Sequence, residues 1–311
     1  MLTNKELEQV LDRLQKANIV TTTGGQASAQ DVNEFVDMAV DQSYPLKTIR
    51  VERGIIKSLN IDALELGDPA MVAATEATAP DSGDVVTPAI PRTTLTPVEV
   101  LLAYNVSFDF LRKNVEGQNA NESLNRLFAK RFGKDSVLVS FKGDTTLDTS
   151  TRANKCKRIF NGFIKTALAD GDVHDVSVSG SDYLETTFPA MLAALPKDYK
   201  DDVDVLGLYV SPDAYEAYCQ QIGHRTTSYG DQVITGSTRP KFRGIEIIPV
   251  AGLADTDMIL TPKMNLAIGY GQDMEVGKDV YYRRRIVEVT ITASMHADYI
   301  VSDAVVLGQA A

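Results

Sequence analysis

Three histidines are the side chains in this sequence best suited to proton transfer or metal binding. His174, His224 and His296 are scattered along the chain, and none has a second ligand at the spacing typical of a metal site. We therefore predict surface or hydrogen-bonded histidines, with no metal and no catalytic residue. Cys156 and Cys219 are too few for a disulfide framework or a zinc site, so each is predicted to be a buried or half-buried thiol.

Two short motifs resemble ligand-binding loops but are incomplete. Asp170 to Asp175 reads DGDVHD and has the acidic density of a calcium loop, but it lacks the glycine at position six and the glutamate at position twelve. Gly269 to Met274 reads GYGQDM and lacks the third glycine of a dinucleotide fingerprint. We predict a solvated turn at the first motif, no cofactor, and no enzyme. An α+β enzyme with its site between two halves of the chain stays as a remote alternative.

The charge balance limits the partners that the chain can have. The chain has 311 residues, 44% hydrophobic content and a formal net charge of -11, which predicts a globular fold and argues against sequence-independent nucleic-acid binding. A container for DNA stays allowed, because a wall that bound its cargo tightly would impede packing and release. No apolar run approaches the roughly 18 residues needed to cross a bilayer, and the start does not look like a signal peptide. We expect a soluble chain in a reducing cytoplasm, with no membrane partner.

Arg283, Arg284 and Arg285 form the densest basic run in the sequence. We predict that they open the final strand, where alternation would point Arg284 opposite to its two neighbours. A solvated edge and pairing with the acidic surface of a neighbouring subunit both stay open. The strand alternates between a buried face with Val287, Val289, Ile291 and Ala293 and an opposite face, wet or at an interface, with Glu288, Thr290, Thr292 and Ser294.

The N-terminal third of the chain reads as tethered elements. Thr3 and Glu6 have capping-box spacing and open one predicted helix. Ser28 and Asp31 open a second amphipathic pattern that ends before Pro45. The apolar stripes of these helices need a partner surface, either on the same chain or on a neighbour.

Residues 46 to 66 are rich in β-branched residues with charged residues between them. This pattern favours an exposed strand or ribbon with a bend near Gly54 or Gly67. About thirty residues with five prolines follow, and they read either as a flexible linker or as the far part of a two-stranded arm. Such an arm is marginally stable alone, so the second reading requires contacts from another subunit. The basic residues of this region are Lys47, Arg50, Arg53 and Lys57.

The remaining elements predict an α+β fold. A strand from Val98 leads into a short helix, and Asn121 begins a helix that we expect to end at Gly133. Asp182 caps a second helical pattern, in which Pro189 predicts a kink. The segment VLGLYV is a buried-type strand, and Ser211 with Pro212 starts the next helix.

The order of these elements resembles the major capsid protein of tailed bacteriophages, the Hong Kong 97 (HK-97) type. The resemblance covers almost the whole chain. It is carried by TPVEVLLAYNVSFDFLRKN, RIFNGF, LPKDYKDDVDVLGLYVSPDAYEAY, RGIEIIPV and NLAIGYGQDMEV, with the SPDAY helix start and the last two segments the most specific.

The resemblance implies a division of the chain into an N-terminal arm, an extended E-loop β-ribbon, a P-domain with a long spine helix, and an axial A-domain. By position these would be residues 1–43, 44–97, 98–200 with 272–311, and 201–271. The spine helix would include Asn119 to Phe132, and the A-domain loop from Gly223 to Pro240 would face the centre of a ring of subunits.

The resemblance also implies how copies of the chain associate. Hexamers and pentamers would form an icosahedral phage head that encloses double-stranded DNA, assembled in the host cytoplasm and retained in the virion. A separate scaffolding protein, a portal and a decoration protein are the implied partners. An encapsulin-like compartment shell is the alternative. The candidate interface residues are Lys47, Arg50, Arg53, Lys57, Arg283, Arg284, Arg285 and Glu288.

Overall fold

The computed structural model describes residues 25–26, 29–41, 43–63, 71, 73, 90–109, 120–178, 180, 182–225, 239–272 and 275–310. The predicted helix at Thr3, most of the proline-rich segment and most of the loop from Gly223 to Pro240 lie outside these residues. The helices of the described part are α1 (Ala29–Asp41), α2 (Tyr44–Thr48), α3 (Ala120–Lys142), α4 (Arg152–Lys157), α5 (Phe163–Ala169), α6 (Phe188–Ala194) and α7 (Pro212–Gly223).

The described strands form two six-stranded sheets and one two-stranded ribbon. In chain order they are β1 (Gly25–Gln26), β2 (Arg50–Ile55), β3 (Leu59–Asp62), β4 (Arg92–Leu95), β5 (Val98–Ser107), β6 (His174–Val178), β7 (Leu206–Val210), β8 (Lys241–Phe242), β9 (Ile245–Pro249), β10 (Met258–Pro262), β11 (Leu266–Gly271), β12 (Glu275–Tyr281), β13 (Ile286–Tyr299) and β14 (Val306–Ala310).

The first sheet is built around β13. On one side, β5 pairs antiparallel with Ile286–Met295. On the other side, β12 pairs antiparallel with the N-terminal half of β13, and β11 pairs antiparallel with its C-terminal end. Strand β2 then pairs parallel with β11. Val287, Val289 and Ile291 are buried, whereas the side chains between them stay partly exposed. The predicted alternation of this strand is confirmed, because one face covers the core.

The position predicted for the three arginines is wrong. Strand β13 begins at Ile286, and Tyr282–Arg285 form the turn of the β12–β13 hairpin. Arg285 has a φ of 52°, a left-handed conformation that a strand does not use. The alternation expected to separate Arg284 from its neighbours therefore does not apply to this turn.

The second sheet has the order β6-β14-β10-β7-β9-β8 and is covered on both faces. All five residues of β7 are buried, as predicted for this strand. Leu206, Leu208 and Val210 face a cluster with α6 and α7, whereas Tyr209 belongs to the main core with α3 and α5. The second sheet therefore has α6 and α7 packed on one face and α3 and α5 packed on the other.

Two of the predicted helix starts are confirmed. The side chain of Ser211 accepts a hydrogen bond from the backbone N–H of Ala214 at 2.9 Å, which caps α7. Asp182 accepts from the N–H of Glu185 at 3.2 Å, and a π-helical turn precedes α6. This turn ends at Thr187, two residues before Pro189, which has no backbone N–H to donate to a preceding carbonyl group.

Helix α3 does not end at Gly133 but continues to Lys142. The glycine is explained by a close approach of two helices, because a Cβ at Gly133 would lie 2.6 Å from the carbonyl oxygen of Ala39 in α1. The ring of Phe35 in α1 lies 5.4 Å from that of Phe132 in α3. The apolar stripe of α1 is therefore covered by its own chain.

Replacing Gly133 by alanine is expected to destabilise the fold by about 1–2 kcal/mol, since an added methyl group forces the backbones of α1 and α3 apart. Urea unfolding of the unassembled chain measures the change. Lys134→Ala, at the next and exposed position of α3, is the control and is expected to have little effect. Because alanine has the higher helix propensity, a gain of about 1 kcal/mol for Gly133→Ala would contradict this close approach.

Candidate subunit-contact surfaces

The ribbon of β3 and β4 is an antiparallel pair that begins and ends beside the first sheet. Arg92 forms two hydrogen bonds to Asp62 across the ribbon, at 2.6 and 3.1 Å. The chain bends after Gly54, whose φ is 71°, and this agrees with one of the two positions predicted for the bend. The other, at Gly67, lies outside the described residues. A short two-stranded ribbon is therefore present here, whereas most of the proline-rich segment, on which the two readings of the sequence differ, lies outside the described residues.

The base of the ribbon is docked against the C-terminal end of β13. The hydroxyl of Thr93 donates to the carbonyl oxygens of Tyr299 and Ile300, each at 3.1 Å. Ile61 and Leu95 are buried in a small apolar cluster with residues of the first sheet. These contacts fix the direction in which the ribbon leaves the body.

Replacing Thr93 by valine is expected to loosen this base, because the isosteric side chain keeps the packing but removes the donor to two carbonyl groups. We expect the ribbon to lose about 1 kcal/mol of local stability. Relative to the wild type, amide hydrogen exchange should become faster in β3 and β4 but not in β13. Thr93→Ser keeps the hydroxyl and is the matched control. Equal exchange in the two variants would mean that the hydroxyl does not hold the ribbon.

Three of the four basic candidates near the ribbon are paired within the chain. Lys47 contacts Asp41 at 3.3 Å, Arg50 contacts Glu52 at 2.6 Å and Arg53 contacts Asp37 at 2.5 Å. Lys57 is exposed and forms no ion pair with any described residue. Surface pairs of this kind contribute about 0–1 kcal/mol, so a neighbour could exchange them at small cost.

The tip of the β12–β13 hairpin carries the other basic candidates. Arg285 contacts Asp109 at 3.2 Å, and the guanidinium of Arg284 lies 5.9 Å from the centre of the Tyr281 ring. Arg283 is exposed and forms no ion pair with a residue that the structure describes. Glu288 is not part of the tip, because it lies within β13, opposite Asp279 and Asn105.

A polar cluster joins α2 to the second sheet and was not predicted. The hydroxyl of Tyr44 donates to Glu246, and Lys263 contacts the same carboxylate at 2.5 Å. Burial opposes ionisation of Glu246, but the bonds from Lys263 and Tyr44 outweigh it, so the pKa of Glu246 lies below its usual range. Tyr44 and Glu246 are 202 positions apart, and no local pattern could have linked them.

The histidines lie on separate elements. His174 begins β6 and contacts Asp303 at 3.1 Å, His224 follows α7, and His296 lies in β13. Burial lowers the pKa of His296. Within the described ranges, no group of three or more His, Cys, Asp or Glu side chains could hold a metal ion. No described helix is long and apolar enough to span a bilayer.

The two incomplete motifs take simple conformations. The segment from Asp170 begins with a turn, but its last two residues already belong to β6, so it is only in part the solvated turn that we predicted. Gly269 and Gly271 lie within β11 and open no helix. A Cβ at Gly269 would lie 2.5 Å from the side chain of Ile55, so close packing accounts for this glycine.

Comparison with known proteins supports a single class. No protein-family model matches the chain. The chain is 24% identical over 310 residues to "Putative prophage capsid protein YqbE" of Bacillus subtilis (strain 168), covering 96% of both chains.

Several solved structures have a similar fold. A chain of the satellite phage P4 procapsid matches with a TM-score of 0.66 and 12% identity, over 90% of this chain and 100% of that one. A capsid chain of the empty GTA particle matches with a TM-score of 0.56 and 15% identity, over 87% and 90%. A chain of a virus-like particle from Pyrococcus furiosus matches with a TM-score of 0.54 and 14% identity, over 89% of this chain and 96% of that one.

These similarities confirm the resemblance to phage capsid proteins and the α+β capsid fold of the Hong Kong 97 type. At such low identity the solved structures show the fold alone. The limits predicted for the N-terminal arm, E-loop, P-domain and A-domain stay predictions.

Proposed function

We propose that this chain is a major capsid protein, a structural subunit whose copies assemble into the shell of a phage or phage-like particle. The supporting observation is the full-length correspondence with the P4 procapsid chain, in which 90% of this chain covers all of the other. The relative from Bacillus subtilis agrees over almost the same length. A match that covers nine-tenths of this chain supports a shared architecture rather than one shared motif.

The finer proposal is an icosahedral head of hexamers and pentamers around double-stranded DNA. The ribbon supports association, because two strands alone are marginally stable and need a surface to lie on. The net charge of -11 suits a wall that does not bind DNA tightly. A scaffolding protein, a portal and a decoration protein would complete the particle, which would assemble in the host cytoplasm.

A compartment shell that houses protein cargo is the second candidate. This chain also has a fold similar to that of a virus-like particle from Pyrococcus furiosus, with a TM-score of 0.54. The fold does not separate the two candidates, but the contents of an isolated particle do.

Negative-stain electron microscopy of the purified full-length chain, alone and with a scaffolding protein, tests the proposal. We expect closed shells with five-fold and six-fold rings of subunits. Particles isolated from cells that carry the surrounding genes are expected to contain nuclease-protected double-stranded DNA. Protein cargo without DNA would favour the compartment shell. A chain that stays monomeric in every condition would overturn both candidates.

The ion pairs within the chain divide the candidate interface residues into those that are free to contact another subunit and those that already have a partner. Lys57, Arg283, Arg284 and Glu288 form no ion pair with a described residue, so we propose them first for contacts between subunits. Lys47, Arg50, Arg53 and Arg285 would have to exchange an existing partner.

A further inference from the structure

The tip of the β12–β13 hairpin is exposed yet rigidly held. The N–H of Arg284 donates to the carbonyl of Tyr281 at 3.1 Å, and the carbonyl of Arg285 accepts from the N–H of Phe108 at 2.9 Å. The ring of Tyr282 lies edge-on to that of Phe108 at 6.2 Å. The turn is thus fixed before any partner arrives, which reduces the entropy that binding would cost.

The side chains of this tip have the composition of a binding surface. Tyr282 is 68% exposed and Tyr281 41% exposed. Arg283 and Arg284 are exposed beside them and have no acidic partner in the described part of the chain. Tyrosine and arginine are, with tryptophan, the residues enriched at the energetic centres of protein interfaces. Of the four side chains, Tyr282 packs in part on the core residue Phe108.

A cavity of complementary charge lies beyond the other end of β13. It has a volume of about 610 Å³, and its lining includes Pro91, Gly171, Asp172, His174, Val301 and Asp303. Asp172 is exposed and forms no ion pair with a described residue. The only basic group in the lining is His174, which contacts Asp303. The opening is therefore acidic and lies beside the base of the ribbon.

The two surfaces cannot meet within one chain. Strand β13 has 14 residues and joins the tip directly to the Ile300–Asp303 side of the cavity. At about 3.3 Å per residue, the strand separates them by roughly 45 Å. A contact between these two surfaces would therefore join separate copies head to tail, and head-to-tail contacts close into rings when the rotation between copies allows it.

We propose that the hairpin tip Tyr281–Arg285 of one subunit docks into the acidic cavity at Asp172 and Asp303 of a second copy of this chain. The inference rests on the proposed function, since it assumes that copies associate into rings. Arg283 and Arg284 would face the two carboxylates, and the tyrosines would fill the opening. The net charge of the chain argues against nucleic acid as the occupant, because two unpaired arginines are a small patch within a repulsive field.

Charge exchange tests the contact. Arg283→Glu with Arg284→Glu is expected to raise the protein concentration at half assembly at least about tenfold, and Asp172→Lys with Asp303→Lys should do the same. The variant with all four changes restores opposite charges and should recover most of the assembly. Light scattering and mass photometry of the whole chain measure the protein concentration at half assembly. Rising salt should weaken the assembly of the wild type, because it screens the contact between the arginines and the carboxylates.

Lys130→Glu with Lys134→Glu, two exposed positions on α3, makes the same change of net charge and is the matched control. Circular dichroism and thermal unfolding show whether each variant is folded, and Tyr282→Ala probes the tip without changing charge. Folded tip variants that assemble like the wild type, or a four-fold variant no better than its parents, would overturn the inference and leave the capsid function standing. Tip variants that assemble normally but no longer retain a DNA duplex would assign the tip to nucleic acid instead. A wild-type chain that never assembles would overturn the capsid function itself.

Discussion

Replacing Phe141 by alanine is expected to lower the free energy of unfolding by about 3–5 kcal/mol, a large part of the 5–15 kcal/mol that domains have. The side chain of Phe141 is fully buried near the end of α3. Its ring lies 5.1 Å from that of Phe163 in α5, edge to face, and 5.3 Å from that of Tyr209 in β7. The truncation would leave a cavity where the long helix, a second helix and the second sheet meet.

Urea unfolding of the unassembled chain at one fixed protein concentration measures this effect, because association would add apparent stability. Leu127→Ala is the matched control, since Leu127 lies in the same helix but is 58% exposed, and we expect it to change the free energy by less than about 0.5 kcal/mol. A loss below about 1 kcal/mol for Phe141→Ala would show that the ring of Phe141 does not fill the space between α3, α5 and the second sheet as described.

Local patterns in the sequence were sufficient to predict those elements whose conformation depends on residues close to one another in the chain. Strand β13 alternates because one of its faces covers the core, and Ser211 caps α7 because its oxygen reaches an N–H three residues away. The α+β class and the capsid resemblance follow from the order of such elements. Physical determinants of this kind lie within a few residues of one another, so they can be read without the fold.

Long-range contacts account for what the sequence could not show. Gly133 looked like the end of a helix, but its lack of a side chain serves the approach of Ala39. The arginine turn was missed because Arg285 takes a left-handed conformation that its residue type does not favour. In both cases a distant or backbone interaction outweighed the local preference.

The candidate contact surfaces were predicted only as a set of charged residues, seven of them basic and the eighth Glu288. The sequence identified the basic residues, but it could not show that α1 supplies Asp37 to Arg53, since the two lie on separate elements. Nor could it show that the arginine turn and the acidic cavity lie at opposite ends of one strand. Charge type is local information, whereas the availability of a charge depends on the fold.

Asp298 is expected to make the stability of the chain depend on pH between about 4 and 6. Burial, with a smaller contribution from the charge of Asp170, raises the pKa of Asp298 from 3.8 to about 6, although its carboxylate accepts a hydrogen bond from the N–H of Tyr299 at 2.9 Å. Between the two pKa values the folded chain holds more protons than the unfolded chain. The free energy of unfolding therefore falls as the pH rises through this window, by about 3 kcal/mol for this group.

Replacing Asp298 by asparagine removes the charge and keeps the acceptor for Tyr299. We expect the variant to be more stable than the wild type by about 2–3 kcal/mol at pH 8 and nearly equal to it at pH 4. Comparing the two proteins at each pH is essential. Carboxylates such as Glu246 and Asp170, whose pKa values lie below the usual range, contribute the opposite dependence to both chains.

Asp175→Asn provides the control, since Asp175 is exposed on β6 and its replacement should change the free energy of unfolding by less than about 0.5 kcal/mol at either pH. Urea unfolding of the three unassembled proteins at pH 4, 6 and 8 gives the comparison. A difference between Asp298→Asn and the wild type that stays the same at all three values would mean that Asp298 is ionised as easily in the folded chain as in the unfolded one. Asp298 directly precedes Tyr299, whose carbonyl oxygen accepts the hydrogen bond from Thr93 of the ribbon. Amide hydrogen exchange in β3 and β4 should therefore be slower in Asp298→Asn than in the wild type at pH 8, and equal in the two proteins at pH 4.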